Sequence, residues 1–255
     1  MAVDRERSVV FGEAVGLYES ARPGYPDRLV TDVLGYAPAG PALEAGAGTG
    51  KATAAFAAHG VDLTCVEPDA RMAAALSAKC PGVRVEIGIF EDYVPDRPFA
   101  LLYSAQAWHW VDPERRWDLA HAALAPSGAL ALFWNHYLVT DPGLRAALAE
   151  VDHRHGVSSS SLHQETPIRN EEAQHLLAGD PRFTDLDERL YSWTQWYDAD
   201  RYLDLVRTIS AYRILPPGRQ EPALRELAAL LGDGVEMTFV TDLTLARRAP
   251  GTTAQ

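Results

Sequence analysis

Short apolar runs alternate with helix-like stretches along the first half of the chain. The runs have the length of buried strands, and they fall at 42–45, 61–66, 83–87, 99–103 and 129–134. Between them, alanine-rich or amphipathic stretches predict helices at 51–59, 69–79 and 113–124. Asp69 is a suitable N-cap for the second of these helices, and Pro81-Gly82 ends it. Strands that alternate with helices predict right-handed crossovers and a parallel sheet covered on both faces.

The second half of the chain loses this alternation. Helices are predicted at 144–151, 170–177, 200–210 and 222–231, and strands at 188–197 and 235–246. A serine-rich stretch at 153–166 predicts a loop. We therefore expect an α/β protein with four parts, which are an N-terminal segment (1–40), an α/β core (41–136), an inserted, partly helical cap (137–186) and a C-terminal part (187–255) that completes the sheet.

Composition and charge exclude several classes of protein. The 255 residues are 47% hydrophobic and 23% charged, as in ordinary globular domains. The formal net charge of −12 argues against nucleic acid as a partner, because phosphate binding requires clustered cations. Neither a signal peptide nor an apolar run of the ~18 residues that a membrane helix needs is found, which predicts a soluble cytoplasmic protein. Cys65 and Cys80 form neither a disulfide framework nor a zinc motif.

A glycine-rich turn, Glu44-Ala-Gly-Ala-Gly-Thr-Gly50, joins the first strand to the first helix. Alternating glycines let the backbone turn tightly and approach a ligand, at the sheet edge where α/β proteins bind ligands. A P-loop is excluded, because Ala45 and Ala52 stand where it needs a glycine and a hydroxyl. The dinucleotide fingerprint fits poorly, because Lys51 takes the place of its third glycine. A nicotinamide enzyme remains an alternative.

The turn resembles motif I of the class I methyltransferases that depend on S-adenosylmethionine (SAM). Glu67, at the end of the second strand, suits a ribose diol, which a carboxylate can bind through two hydrogen bonds. The stretches 18–26, 87–93 and 104–112 resemble the trans-aconitate methyltransferase-like group, and the resemblance covers roughly 11–135. It implies SAM as cofactor, a small-molecule acceptor, and a Rossmann-like, mostly parallel sheet of seven strands with an antiparallel final strand and a cap.

The resemblance also implies which residues hold the cofactor. Gly46, Ala47 and Gly48 would lie along the methionine portion of SAM, with Glu44 as the leading acid of the motif. Glu67, followed by Pro68, would hold the ribose. On the N-terminal segment, which resembles a lid, Tyr18 and Arg22 would close over the site, and Arg22 would pair with the SAM carboxylate.

Two further positions complete this set. The family's usual adenine-binding acid is replaced by Ile89, so that the backbone of Phe90 and the side chain of Glu91 would serve instead. Gln106, after the fourth strand, would face the methionine end of the cofactor and the acceptor.

The candidate catalytic residue is His109, which lies between Trp108 and Trp110. An imidazole suits the removal of a proton from the acceptor at neutral pH, and the alternative is packing between the two indoles. The amino-methylating signature is absent at 104–107, where the residues are Ser-Ala-Gln-Ala, which favours an oxygen or carbon acceptor. Two functional alternatives stay open, namely a SAM-binding protein that does not methylate and the nicotinamide oxidoreductase.

The cap contributes further candidates. His153, His155 and His163 are typical of a polar loop more than of a metal site, and we predict no metal. Arg207 and Arg213 would suit an acidic acceptor. Six aromatic residues of the C-terminal part belong either to the core or to an acceptor pocket, and these are Tyr191, Trp193, Trp196, Tyr197, Tyr202 and Tyr212.

Overall fold

A seven-stranded sheet forms the centre of the protein, in a computed structural model that describes residues 15–157, 162–163 and 177–250. The strands are β1 (Ala42–Ala45), β2 (Leu63–Glu67), β3 (Arg84–Ile87), β4 (Phe99–Ala105), β5 (Leu124–Val139), β6 (Phe183–Asp198) and β7 (Gly234–Arg248). Their order is β3-β2-β1-β4-β5-β7-β6. The first five strands are parallel, and β7 lies antiparallel between β5 and β6. The predicted fold class is confirmed.

Nine α-helices are described within these residues. They are α1 (Val15–Ala21), α2 (Asp27–Tyr36), α3 (Lys51–Ala57), α4 (Ala70–Lys79), α5 (Arg116–Ala123), α6 (Pro142–His155), α7 (Ala199–Arg207), α8 (Ser210–Arg213) and α9 (Pro217–Leu231). Asp69 caps α4 as predicted, since its side chain accepts a hydrogen bond from the backbone N–H of Arg71. The helix predicted at 170–177 lies almost wholly outside the described residues.

Three strands, β5, β6 and β7, are longer than their apolar patterns predict. The strand predicted at 129–134 spans Leu124–Val139 and crosses the boundary that we drew after residue 136. Its pairing with β7 runs without a break from Ala129 to Val139. Antiparallel pairing satisfies the backbone groups of β5 over this whole length, beyond the end of its apolar run.

Two helix predictions also need correction. The helix predicted at 200–210 is divided into α7 and α8, and the one predicted at 222–231 begins five residues earlier, at Pro217. Proline suits the first turn of a helix, where its missing N–H would have no partner. Pro217 is therefore as good a start as Pro222, which lies inside α9.

Three groups of buried side chains hold the sheet. On one face, α2 and α3 pack against β1, β4 and β5, where the rings of Phe56 and Tyr103 stack with centroids 4.2 Å apart. On the other face, α5 covers a cluster that contains Trp108 and Trp134. The helices α6, α7 and α9 cover the outer halves of the long strands around Phe239. Of these three helices, only α6 belongs to the predicted cap (137–186), whereas α7 and α9 come from the C-terminal part.

Within the part of the chain that the structure describes, no helix combines the length and the apolar character that crossing a membrane demands.

Candidate active site

The glycine turn lies at the carboxyl end of β1, and its three glycines all have positive φ angles of +73°, +58° and +78°. A Cβ added at Gly46 would overlap the side chain of Ala107, and one at Gly50 would lie 2.9 Å from Cγ of Leu76. Packing therefore requires glycine at these two positions. A Cβ at Gly48 would meet nothing within 4 Å. The turn leaves room for a ligand at Gly48, which fits a bound cofactor.

Glu67 holds this turn in place. One carboxylate oxygen accepts a hydrogen bond from the backbone N–H of Gly48 (2.7 Å), and the other accepts one from the N–H of Asp69 (2.9 Å). Burial raises the pKa of Glu67, and these two backbone hydrogen bonds oppose that effect. Each carboxylate oxygen has a further lone pair, so the acid can still bind a ribose hydroxyl. The sequence did not reveal its second role in shaping the turn.

Glu44 is buried beneath the turn, among donors from three neighbouring elements. Its Oε2 accepts hydrogen bonds from the hydroxyls of Thr53 (2.5 Å) and Tyr103 (2.8 Å) and from Sγ of Cys65 (3.5 Å). Burial outweighs these bonds and raises the pKa of Glu44 to about 7. The side chain also lines the cleft described below, so it contributes both to the core and to the site.

The N-terminal helix α1 lies across the turn and is fixed there by Glu19. Its carboxylate accepts hydrogen bonds from Thr49 (2.7 Å) and Lys79 (2.5 Å), and its carbonyl accepts one from Lys51 (2.6 Å). Burial disfavours the charged form, but the hydrogen bonds from Lys79 and Thr49 outweigh burial and lower the pKa of Glu19. Nothing in the local sequence pattern identified Glu19, because its partners lie far along the chain.

Arg22 follows α1 and joins it to β5 and to the end of α7. Its Nε donates to the hydroxyl of Thr208 (2.8 Å), Nη2 donates to the Thr208 carbonyl (3.0 Å), and Nη1 donates to the Tyr137 hydroxyl. The guanidinium lies 5.3 Å from the ring centroid of Tyr18. Among the residues that the structure describes, Arg22 forms no ion pair. Its charge is therefore available to an anionic ligand.

Gln106, directly after β4, and Asn135, within β5, form the floor of the site. Gln106 has a φ of +62°, a conformation that non-glycine residues rarely adopt and that often marks functional sites. Its side chain donates to the Asn135 carbonyl (2.9 Å), and Asn135 Nδ2 donates to the Gly24 carbonyl (3.0 Å). The position of Gln106 was predicted, whereas Asn135 carried no signal in the sequence.

These elements surround a narrow cleft that is open to solvent on one side. Five predicted residues line it together, namely Tyr18, Arg22, Glu44, Ala47 and Gln106. Glu67 lies behind the turn, in contact with Gly48. Eight lining residues were not predicted, and these are Pro23, Tyr25, Thr49, Lys51, Ala52, Ala105, Asn135 and Tyr137. The structure therefore brings most of the predicted cofactor residues to one place.

The predicted adenine residues lie outside this cleft. Phe90 is buried against Trp108, with ring centroids 5.7 Å apart. Glu91 accepts a hydrogen bond from the N–H of Asp112 (2.8 Å), which occupies part of its carboxylate. Pro68 is half-buried beyond the end of β2. The roles of Phe90 and Glu91 at the adenine, and of Pro68 beside the ribose, stay predictions.

His109 lies at the protein surface, beside the rings of Trp110 and Trp134. Its Nδ1 accepts a long hydrogen bond from Nε1 of Trp134 (3.4 Å), and its ring lies against Trp110. A neutral imidazole that accepts through Nδ1 carries its proton on Nε2 and has no second lone pair to act as a base. Desolvation, followed by the charge of Arg116, lowers the pKa of His109 to about 4. His109 is an exposed residue that does not line the cleft, and its role as a base stays a prediction.

The cap histidines have separate partners. Nε2 of His155 lies 2.9 Å from Glu226, and Nδ1 of His163 lies 2.6 Å from Asp152. No group of three or more His, Cys, Asp or Glu residues that could hold a metal occurs in the described ranges. Of the predicted acceptor residues, Arg207 pairs with Asp204 at 2.8 Å. Among the aromatic residues, Tyr197, Tyr202 and Tyr212 belong to the core, whereas Tyr191 and Trp193 line a surface groove.

Comparisons with known proteins identify the family. A family described as a methyltransferase domain matches residues 43–132. The chain is 34% identical to the uncharacterized methyltransferase Rv3342 of Mycobacterium tuberculosis, over 84% of this chain and 82% of that protein. It therefore belongs to the class I SAM-dependent methyltransferases, and it is an enzyme of that family. This membership sets the nicotinamide alternative aside.

Two more distant similarities agree with this family. Trans-aconitate 2-methyltransferase of Rhizobium meliloti is 33% identical over 99 residues, which is 37% of this chain and 38% of that protein. The solved structure of a type II methyltransferase from Anaeromyxobacter dehalogenans superposes with a TM-score of 0.65 at 22% identity, and the alignment covers 90% of this chain and 99% of that one. This second similarity shows the fold.

Proposed function

We propose that this methyltransferase transfers a methyl group from SAM to a small molecule, at an oxygen or carbon atom. The observation that carries the proposal is the narrow cleft between the glycine turn, the docked helix α1, the end of β4 and residues 135–137 of β5. Glu19 and Arg22 hold α1 and the residues after it closely over this cleft, which leaves room for a compact acceptor rather than a folded macromolecule.

Each wall of the cleft offers a suitable group for one part of the cofactor. Arg22 would pair with the carboxylate of the methionine portion, because a guanidinium binds carboxylates through paired N–H groups. The backbone at Ala47 and Gly48 would lie along the same portion, in the space that a Cβ at Gly48 would fill. Glu67 would accept hydrogen bonds from the ribose diol through its remaining lone pairs.

When bound, SAM supplies a methyl group whose bond to the sulfonium sulfur breaks, with its electron pair returning to sulfur, as the acceptor atom forms the new bond and S-adenosylhomocysteine (SAH) results. The protein's part is to position the acceptor, and positioning alone is worth effective molarities of roughly 10⁵–10⁸ M in well-aligned cases. Gln106 and Asn135 lie where an acceptor would meet the methionine end. The docked α1 would exclude water from this contact.

Side chains of the cleft act as hydrogen-bond donors at neutral pH. Burial raises the pKa of Tyr18 and raises that of Tyr25 well above its usual value, so both phenols keep their protons. An acceptor hydroxyl would thus be oriented by tyrosine donors and would release its proton to solvent at the open side of the cleft. The sequence Ser-Ala-Gln-Ala at 104–107 lacks the signature of amino-methylating enzymes, which supports oxygen or carbon over nitrogen.

Mass spectrometry of reactions with SAM tests this proposal. Small hydroxylated and carboxylated compounds are incubated with the enzyme, and matched amines serve as controls. We expect SAH to form in equal amounts with a methylated oxygen or carbon acceptor. Methylation of the amines alone, or of protein and nucleic acid but no small molecule, would refute the proposal.

A further inference from the structure

A second groove opens at the edge of the sheet, beside the cofactor cleft. It is open to solvent and has a volume of about 450 Å³ between residues 23–26 and the edge strand β6. Its size is within the ~300–1,000 Å³ that small-molecule sites occupy. None of the roles proposed above for the cleft residues involves this groove.

Two aromatic side chains of β6 form one wall of the groove. The indole of Trp193 is stacked on Phe239, with centroids 5.3 Å apart and planes 14° apart, and Phe239 is fully buried. The hydroxyl of Tyr191 donates to Asp32 at 2.8 Å. Both rings are therefore held in fixed orientations. Trp193 is only half-buried, so part of its flat surface is open to a planar ligand.

A weakly paired cation lies at the rim. The side chain of Arg28 is 83% exposed, and its Nε is 3.8 Å from the carboxylate of Asp32. Asp32 also accepts the hydrogen bond from Tyr191 and lies 3.4 Å from Arg189. Exposed pairs of this kind contribute little free energy. Arg28 can therefore turn toward an anionic group in the groove at small cost.

The groove and the cofactor cleft meet at Tyr25. Pro23 and Tyr25 line both spaces. The ring of Tyr25 packs edge-on against Phe133 with centroids 4.9 Å apart, and Asn135 holds the neighbouring carbonyl of Gly24. A molecule that lies along the groove therefore has its inner end at Tyr25, beside the floor of the cofactor cleft.

We infer that this groove binds the acceptor and that the acceptor is a planar aromatic acid. Its ring lies against Trp193 and Tyr191, its carboxylate faces Arg28, and its reacting end passes Tyr25 into the cofactor cleft. The inference rests on the proposed function, since it places the small-molecule acceptor of the same reaction.

Calorimetry with 4-hydroxycinnamate, a planar aromatic acid, tests this assignment on the full chain saturated with SAH. Trp193→Ala should weaken binding of this probe at least about tenfold, which corresponds to ~1.4 kcal/mol. The matched control is Trp196→Ala, because Trp196 is 58% exposed on the same strand but does not line the groove. This control should bind the probe as the wild type does.

Two further variants separate the parts of the site. Arg28→Gln should reduce the affinity for 4-hydroxycinnamate to that for its amide, and leave the affinity for the amide unchanged. Gln195→Trp narrows the groove without removing the stack between Trp193 and Phe239, and it should abolish probe binding. It therefore tests the site even if Trp193→Ala does not fold.

Several results would overturn the inference. One is that the wild type does not bind the probe, and another is that Trp193→Ala and Trp196→Ala lose equal affinity for it. A third is self-association of the chain that Gln195→Trp prevents, because this result would assign the groove to a second copy. Failure of the proposed function is distinguishable, because the wild type would then methylate no small molecule at oxygen or carbon, whatever its affinity for 4-hydroxycinnamate. If SAH binds and another acceptor is methylated with an unchanged KM in Gln195→Trp, the groove assignment alone is wrong.

Discussion

The two walls of the cofactor cleft are held by different kinds of contact. The glycine turn is fixed through its own backbone N–H groups. That of Gly46 donates to the Val66 carbonyl (2.9 Å), and that of Gly48 donates to the Glu67 carboxylate (2.7 Å). The opposite wall, formed by α1 and Arg22, is held by side chains whose partners come from four different elements. A segment that is fixed through its backbone opens rarely, whereas breaking the side-chain contacts of α1 costs less free energy. We expect the turn to determine cofactor affinity and α1 to control its exchange.

Alanine at two glycines of the turn should produce the largest effects. Gly46→Ala places a methyl group against Ala107 at a φ of +73°, and we expect a loss of roughly 2–4 kcal/mol of unfolding free energy. Gly48→Ala should lower the unfolding free energy by only about 1–2 kcal/mol, because alanine disfavours the left-handed backbone at this position. It should nevertheless bind SAH more than tenfold more weakly, because its methyl group enters the open space.

Urea denaturation and SAH calorimetry distinguish the two variants. If Gly48→Ala folds and binds SAH like the wild type, the space at Gly48 is not part of the cofactor site.

The buried acid below the turn should make stability depend on pH. The pKa of Glu44 is about 7 in the folded chain, above the value of 4.5 for an unperturbed glutamate. The folded state therefore binds more protons between these pH values, and unfolding free energy should fall by roughly 3 kcal/mol as the pH rises through this range. Glu44→Gln should remove most of this slope, in urea denaturation at pH 5 and pH 7.5. The exposed Glu221 provides the control Glu221→Gln, and an equal slope in both variants would count against a buried, protonated Glu44.

Glu67→Ala tests the acid that connects the turn to the ribose subsite. We expect SAH affinity to fall by roughly 1.5–3 kcal/mol, the range for hydrogen bonds to a charged group. Some loss of stability should accompany it, because the N–H groups of Gly48 and Asp69 lose their acceptor. Calorimetry and thermal unfolding report the two effects separately. A change in SAH affinity below half the expected value would show that Glu67 supports the turn without binding the ribose.

The smallest effect should come from the wall that side chains hold. Glu19→Gln removes the charge that pairs with Lys79 and Lys51, contacts that are partly exposed and contribute up to ~1 kcal/mol. SAH should therefore dissociate about threefold to fivefold faster in stopped-flow measurements. High salt should accelerate release from the wild type toward the rate of the variant. Release that is as slow in Glu19→Gln as in Glu221→Gln would show that α1 does not control exchange.

Local sequence predicted what neighbouring residues determine by themselves. The strand β1 was located to the residue, and the cap at Asp69 was correct, because short apolar runs and capping side chains act within a few positions. The glycine turn and Glu67 were found for the same reason. Glu19, Asn135 and Tyr137 were missed, because their place in the cleft depends on contacts across the fold.

The lengths of β5, β6 and β7 were underestimated for a related reason. Their outer halves carry few continuous apolar runs, and their partners are each other. The role of His109 as a base stays a prediction, since the sequence shows an imidazole but not which of its nitrogens is engaged by Trp134.

One unbroken strand carries both the floor of the cleft and part of the cap. Asn135 lies under the cofactor cleft, and Tyr137 and Val139 lie in the cap core on the same face of β5, because side chains alternate along a strand. Inserting a single residue between Phe133 and Asn135 would exchange inward and outward side chains over the rest of the strand, disrupting both at once. A chimaera that changes acceptor preference should therefore join its parents within the turns that flank α6 and α9, and should keep the long strands of one parent intact.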